Sequence, residues 1–237
     1  MLKFQQCTVQ QKRTLFSIPE LILEKGQFVA LIGANGTGKS TFLSSFSGSK
    51  SIQGELTFNG LDWWKIQPKE RAKTVALVDN RFQGLEHLST QEYLELGRFP
   101  YTNLIGRLTE KDKVLIAEIA EEMQLTTLLN QATSTLSDGE RQRASIARAL
   151  IQETPIILLD EPTSFLDYPT KRSIMNLVKK IVEEHGKLVI MATHDLELSV
   201  QYCSHWMIIQ PETKLLEMIE GCVTVEQLIL KAFPGVS

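Results

Sequence analysis

Residues 33 to 41 read Gly-Ala-Asn-Gly-Thr-Gly-Lys-Ser-Thr and follow directly on the apolar run Phe28-Val29-Ala30-Leu31-Ile32. This is the full G-x-x-x-x-G-K-[ST] spacing of a phosphate loop, set where a strand gives way to a helix. Glycine lets the backbone curl until successive N–H groups face inward around an anion, and the helix that follows turns the positive end of its dipole to the same point. Gly33, Asn35, Gly36, Thr37 and Gly38 are therefore expected to cradle the phosphates of a nucleotide. Lys39 reaches the β- and γ-phosphates as a point charge, the Ser40 hydroxyl ligates Mg²⁺, and Thr41 lies beside it on the first turn.

A second group of reactive side chains lies far along the chain. Ile156-Ile157-Leu158-Leu159 runs into Asp160-Glu161-Pro162, so an apolar strand delivers two carboxylates to its C-terminal end, where open α/β sheets hold their ligands. Hydrolysis of a phosphoanhydride uses both. One carboxylate serves Mg²⁺, and the other orients or polarises the attacking water. Asp160 takes the first role and Glu161 the second.

Both groups need a sheet to hold them. Short β-branched runs alternate with longer segments of helical period, which predicts an α/β fold with a mainly parallel sheet. The expected sheet strands are 28–32, 75–78, 156–159, 188–192 and 206–209. Residues 2–9 and 54–60 are expected in a smaller antiparallel layer, and helices are expected to start at Gly38, Gln91, Glu110, Gly139, Pro169, Leu196 and Val225. The stretch from about 82 to 150 is helical in period and lacks strand-like runs, so it reads as a helical lobe inserted into the α/β core of a single domain. After Pro211 a short hairpin and a terminal helix are expected.

Composition narrows the classes of function. The 237 residues are 43% hydrophobic and 22% charged, with a net charge of -3. That balance argues against broad electrostatic binding to nucleic acid or to anionic lipid. The longest apolar runs fall far short of the roughly 20 residues that span a bilayer, and the polar N-terminal stretch leaves no room for a signal-peptide core. The chain reads as cytosolic. Cys7, Cys203 and Cys222 show no C-x-x-C spacing and are assigned no chemistry.

The order of the remaining motifs resembles the ATPase subunits of the ATP-binding cassette family over nearly the whole chain. Leu136-Ser137-Asp138-Gly139-Glu140 stands where that family carries L-S-G-G-Q, Thr163-Ser164-Phe165-Leu166-Asp167 matches its D-loop, and Thr193-His194-Asp195 places a histidine past a buried strand. The resemblance implies a head-to-tail homodimer sandwiching two ATP molecules. In it Ser137 and the Gly139 backbone cap the γ-phosphate held by the other subunit, His194 contacts that phosphate on the Glu161 side, and Ser164 and Asp167 bridge the subunits near the site. Asp138 departs from the pattern beside a phosphate, and capping of its own helix is the expected outlet for its charge. The family's metal-sensing glutamine falls on Asn80, with Gln83 as the second candidate. No aromatic residue falls where the family stacks adenine, so the base is expected to be held loosely, by an apolar or an Arg13 contact.

Leu96-Gly97-Arg98-Phe99-Pro100-Tyr101 is similar to a segment of the importers for iron-siderophore, haem and vitamin B12. An alternative reading is a turn and a Pro-bent loop with Phe99 and Tyr101 packed inward. By the same resemblance residues 85–96 face a transmembrane permease, whose complex also receives a substrate-binding protein, and the chain sits peripherally on the cytoplasmic face of the membrane without binding nucleic acid. The implied activity is ATP hydrolysis coupled to import. The rivals are a soluble cassette ATPase of DNA repair or translation and a small-molecule kinase using the same loop.

Overall fold

The computed structural model describes residues 1–48, 51–80, 82, 84–102 and 106–234. Its strands are β1 (Leu2–Gln10), β2 (Thr14–Leu23), β3 (Phe28–Ile32), β4 (Ile52–Phe58), β5 (Leu61–Asp62), β6 (Val75–Val78), β7 (Ile156–Asp160), β8 (Leu188–Ala192), β9 (His205–Ile209) and β10 (Leu216–Glu220). Its helices are α1 (Lys39–Ser45), α2 (Pro68–Arg71), α3 (Thr90–Glu95), α4 (Glu110–Glu122), α5 (Asp138–Ile151), α6 (Tyr168–His185), α7 (Leu196–Tyr202) and α8 (Val225–Ala232).

Two sheets form. The larger has the order β10-β9-β3-β8-β7-β6, parallel except for the edge strand β10, and the smaller is antiparallel in the order β2-β1-β4-β5. This is the expected α/β fold. The central strands β3, β7 and β8 are buried at every position, as parallel strands covered on both faces must be. Alternate residues feed two cores. Phe28, Ala30 and Ile32 join the apolar cluster of α5 to α8, while Val29 and Leu31 face α1 and the antiparallel layer.

Strand β2 is the one long element that sequence pattern does not predict. Pro19 interrupts its alternation, and a proline is tolerated because β2 is the edge of its sheet. The Ser17 N–H donates to the Lys214 carbonyl at 2.8 Å, tying this edge to the β9–β10 turn of the other sheet.

Between β6 and β7 the described residues form helices and short 3-10 turns. Among the contacts that join this lobe to the sheet edge, Gln152 at the end of α5 donates to the Val75 carbonyl at 3.1 Å. Arg148 of α5 donates to the Leu77 carbonyl at 3.0 Å, and Phe82 stacks on Tyr93 of α3 with ring centroids 4.1 Å apart and planes 9° from parallel.

The segment Leu96–Tyr101 is a 3-10 turn in which arginine, rather than the aromatics, goes inward. Arg98 is 7% exposed while Phe99 is 73% exposed. The reason is a set of partners that only a guanidinium fork can satisfy: Arg98 Nε donates to Asp112 at 2.6 Å, and Nη1 donates to Glu153 at 2.6 Å and to the Ile151 carbonyl at 2.9 Å. Tyr101 lies over the same group, 4.1 Å from ring centroid to guanidinium carbon. Gly97 permits the close approach, since a Cβ there would sit 2.6 Å from the Arg148 carbonyl oxygen.

Removing one partner of a buried ion pair strands the other without solvation. Arg98→Ala is therefore expected to lower unfolding free energy by roughly 3 kcal/mol, read as a lower urea midpoint at unchanged slope, with Arg98→Lys recovering only part of the loss.

Candidate functional site

The phosphate loop crosses from β3 to α1 with Gly36 at φ +76° and Gly38 at φ +107°, conformations that side chains other than glycine rarely adopt. Gly38 also passes under Leu15, whose Cδ1 would lie 2.8 Å from an added Cβ. Thr37 closes the turn with its N–H and its hydroxyl both donating to the Ala34 carbonyl, at 3.4 and 2.9 Å. Lys39, only 6% exposed, folds back over the loop and donates to the carbonyls of Gly33 and Ala34 at 2.8 and 3.2 Å. Burial lowers its pKa, opposed by the nearby charges of Glu161 and Asp160.

Those carboxylates arrive from the neighbouring strands. Strand β8 lies between β3 and β7, and Asp160 pairs in register with Ala192. Asp160 is 8% exposed, and burial raises its pKa while a hydrogen bond with the Ser40 hydroxyl works the other way. Its Oδ1 is buried with no hydrogen-bond partner. An orphaned carboxylate oxygen beside a serine hydroxyl is the donor set a hard divalent cation takes, so the residues present fit Mg²⁺.

Glu161 leaves the strand in the left-handed region at φ +49°, a strain of roughly 1 kcal/mol held by its N–H donating to the Ala192 carbonyl at 3.0 Å. The turn aims its carboxylate at two neighbours. His194 Nε2, two residues past β8, lies 2.6 Å away, and the Ser164 hydroxyl donates to it at 3.0 Å. Lys39, Ser40, Asp160, Glu161, His194 and Ser164 thus form one constellation within a single chain. Ser164, expected as a bridge between subunits, also positions Glu161 within its own chain.

Ser137 and Gly139 lie elsewhere, in a cleft shared with Phe165, Asp167 and Thr170. Among the described residues nothing joins them to the phosphate loop. Ser137 caps α5, accepting from the Glu140 N–H while its own hydroxyl and N–H donate to the Glu140 carboxylate at 2.7 and 2.8 Å. These bonds hold Glu140 below the usual carboxylate range. The cap is therefore Ser137 and not Asp138, whose charge is answered by Arg141. Geometry explains the exchange: the residue before the first helical turn has the extended backbone a cap requires, and Asp138 is already inside the helix.

Asn80 sits in the turn after β6 and makes no side-chain bond to Ser40 or Asp160 among the described residues, while Gln83 lies outside the described residues. The residue sequence reasoning passed over is Asp79, whose charge acts on Asp160. Beside the loop, a cleft lined by Arg13, Leu15, Gln210, Pro211 and Lys214 continues from Ala34–Thr37 without an aromatic ring. Leu85, Leu96 and Phe99 are exposed on the lobe.

The sequence model of the ABC transporter family matches residues 17–164. The achromobactin transport ATP-binding protein CbrD of Dickeya dadantii is 31% identical over 222 residues, 93% of this chain and 82% of that protein. The iron(3+)-hydroxamate import ATP-binding protein FhuC of Bacillus subtilis is 36% identical over 187 residues, 78% of this chain and 69% of that protein. Among solved structures, the dimeric post-hydrolysis state of the cassette MJ0796 bound to ADP and Pi aligns with a TM-score of 0.78 at 28% identity, covering 93% of this chain and 98% of that one. Phosphate loop, paired carboxylates and histidine on adjacent strands, together with these likenesses, establish that the chain belongs to the ABC transporter ATPase family.

Proposed function

We propose that this chain is the ATP-hydrolysing subunit of an importer for an iron complex, a siderophore chelate or haem, or for cobalamin. It works as a homodimer beneath transmembrane permease subunits that receive cargo from a substrate-binding protein, on the cytoplasmic face of the plasma membrane. The observation that carries this reading is the division of the site. One chain gathers Lys39, Ser40, Asp160, Glu161 and His194, yet leaves Ser137 and Gly139 facing outward in another cleft, so a complete phosphate shell needs a second copy. The named cargoes of the relatives, achromobactin and iron(3+)-hydroxamate, support the choice of iron complex. No helix among the described residues is long and apolar enough to cross a membrane, in keeping with attachment through a permease.

In this reading Lys39 exchanges its loop carbonyls for the β- and γ-phosphate oxygens of ATP. Ser40, Asp160 and Asn80 would hold Mg²⁺, which when bound would neutralise phosphate charge. Glu161 takes a proton from the attacking water, with His194 and Ser164 fixing its carboxylate. Ser137 and Gly139 of the partner subunit close over the γ-phosphate. ATP therefore acts as adhesive, and hydrolysis releases it.

Glu161→Gln is expected to leave ATP binding intact and cut turnover by at least about a hundredfold, with light scattering showing a persistent ATP dimer; an undiminished rate would reject Glu161 as the base. The ring-free cleft beside the loop predicts dissociation constants for ATP, GTP and CTP within about threefold of one another, and a strong preference for ATP in parallel titrations would overturn it. Extraction in mild detergent should co-purify a polytopic permease whose loading with a ferric chelate stimulates ATP turnover; capture on DNA or ribosomes instead would favour the soluble rival.

A further inference from the structure

Strand register brings a third carboxylate to the metal side of the site. Val78 pairs with Leu159 in the parallel ladder of β6 and β7, so the next residues out, Asp79 and Asp160, are neighbours across the two strands. Their side-chain face follows from the alternation below them. Val75 and Leu77 on one strand, and Ile156 and Leu158 on the other, all pack into the cluster that contains α1, whereas Ala76, Val78, Ile157 and Leu159 pack into the opposite one. Continuing the period of two puts Asp79 and Asp160 on the α1 face, the face that carries Ser40. The cleft containing Asp79 is lined by Leu77 and Leu158 of that same face and by Phe46 at the end of α1.

An acidic pair alone would be an electrostatic burden. Asp79 is exposed and shares its cleft with Arg71 and Arg148, whereas Asp160 is buried beside Glu161 with the Lys39 ammonium nearby. Independent of any charge count, Asp160 is more than nine-tenths buried with Oδ1 lacking a partner. A small divalent cation satisfies that oxygen, and a carboxylate serves such a cation better than a neutral amide.

We propose that Asp79 is a further ligand-side carboxylate for the Mg²⁺ of the nucleotide site, acting with Ser40 and Asp160 and exceeding Asn80 in effect. The proposal rests on the nucleotide-site reading above. Asp79 makes metal affinity, rather than nucleotide affinity, the quantity tuned at the head of β6. Without metal, its charge opposes the incoming triphosphate.

The test is Mn²⁺ binding, followed by electron paramagnetic resonance, in the complex of the full chain with a non-hydrolysable ATP analogue. Asp79→Asn is expected to weaken Mn²⁺ about tenfold, with Asp79→Glu recovering most of the affinity and Asn80→Ala changing it less than Asp79→Asn. In excess EDTA the analogue should bind Asp79→Asn as tightly as the wild type or more so, which also shows that the variant is folded. Unchanged Mn²⁺ affinity in Asp79→Asn, or a greater loss in Asn80→Ala, overturns the proposal while leaving the nucleotide site standing. A wild-type chain that binds neither analogue nor metal overturns the site reading and the proposal with it.

Discussion

Burying like charges side by side is the constraint around which this molecule is organised. Asp160, buried, and Glu161, half-buried, are consecutive residues at the end of a fully buried strand, with Lys39 as a nearby compensating cation. A buried carboxylate is costly unless it is paired, hydrogen-bonded or metal-bound. Each neighbouring feature can be understood as meeting that cost. Ser40 bonds Asp160, Glu161 turns through a left-handed residue toward His194 and Ser164, and the loop folds so that Lys39 is held close. The central strands are uniformly apolar because rigid placement of these groups requires a sheet covered on both faces.

Much of this was legible in the sequence because the physics is local. A glycine-rich turn after a strand, and an apolar run ending in two carboxylates, each specify their own conformation within a few residues. The order of motifs then supplied the family. What stayed hidden depends on partners far away in the chain. Pro19 obscured β2 because its tolerance depends on the strand being a sheet edge. The inward turn of Arg98 in place of its aromatic neighbours was not legible, because Asp112 and Glu153, which hold it, arrive from the ends of two other helices. Asp79 gave no motif at all, since its meaning lies in the register between β6 and β7.

Helix α5 shows how a departure from a family pattern can be absorbed locally. Asp138 and Glu140 introduce two negative charges at a helix N-terminus, where the helix dipole favours them. Arg141 answers the first and the Ser137 cap answers the second, so both are accommodated within one turn. The helix is stabilised by the same substitutions that place acidic groups beside its outward-facing cap.

The stacked rings of Phe82 and Tyr93 give the lobe a particular mechanical character. Such a pair contributes about 1 kcal/mol beyond its buried area, and the Arg148 bond to the Leu77 carbonyl adds a similar amount. Because α3, α4 and α5 share one buried apolar cluster with the sheet strands, the lobe is keyed into the sheet, and any displacement of it must be felt at the strand tip that bears Asp79.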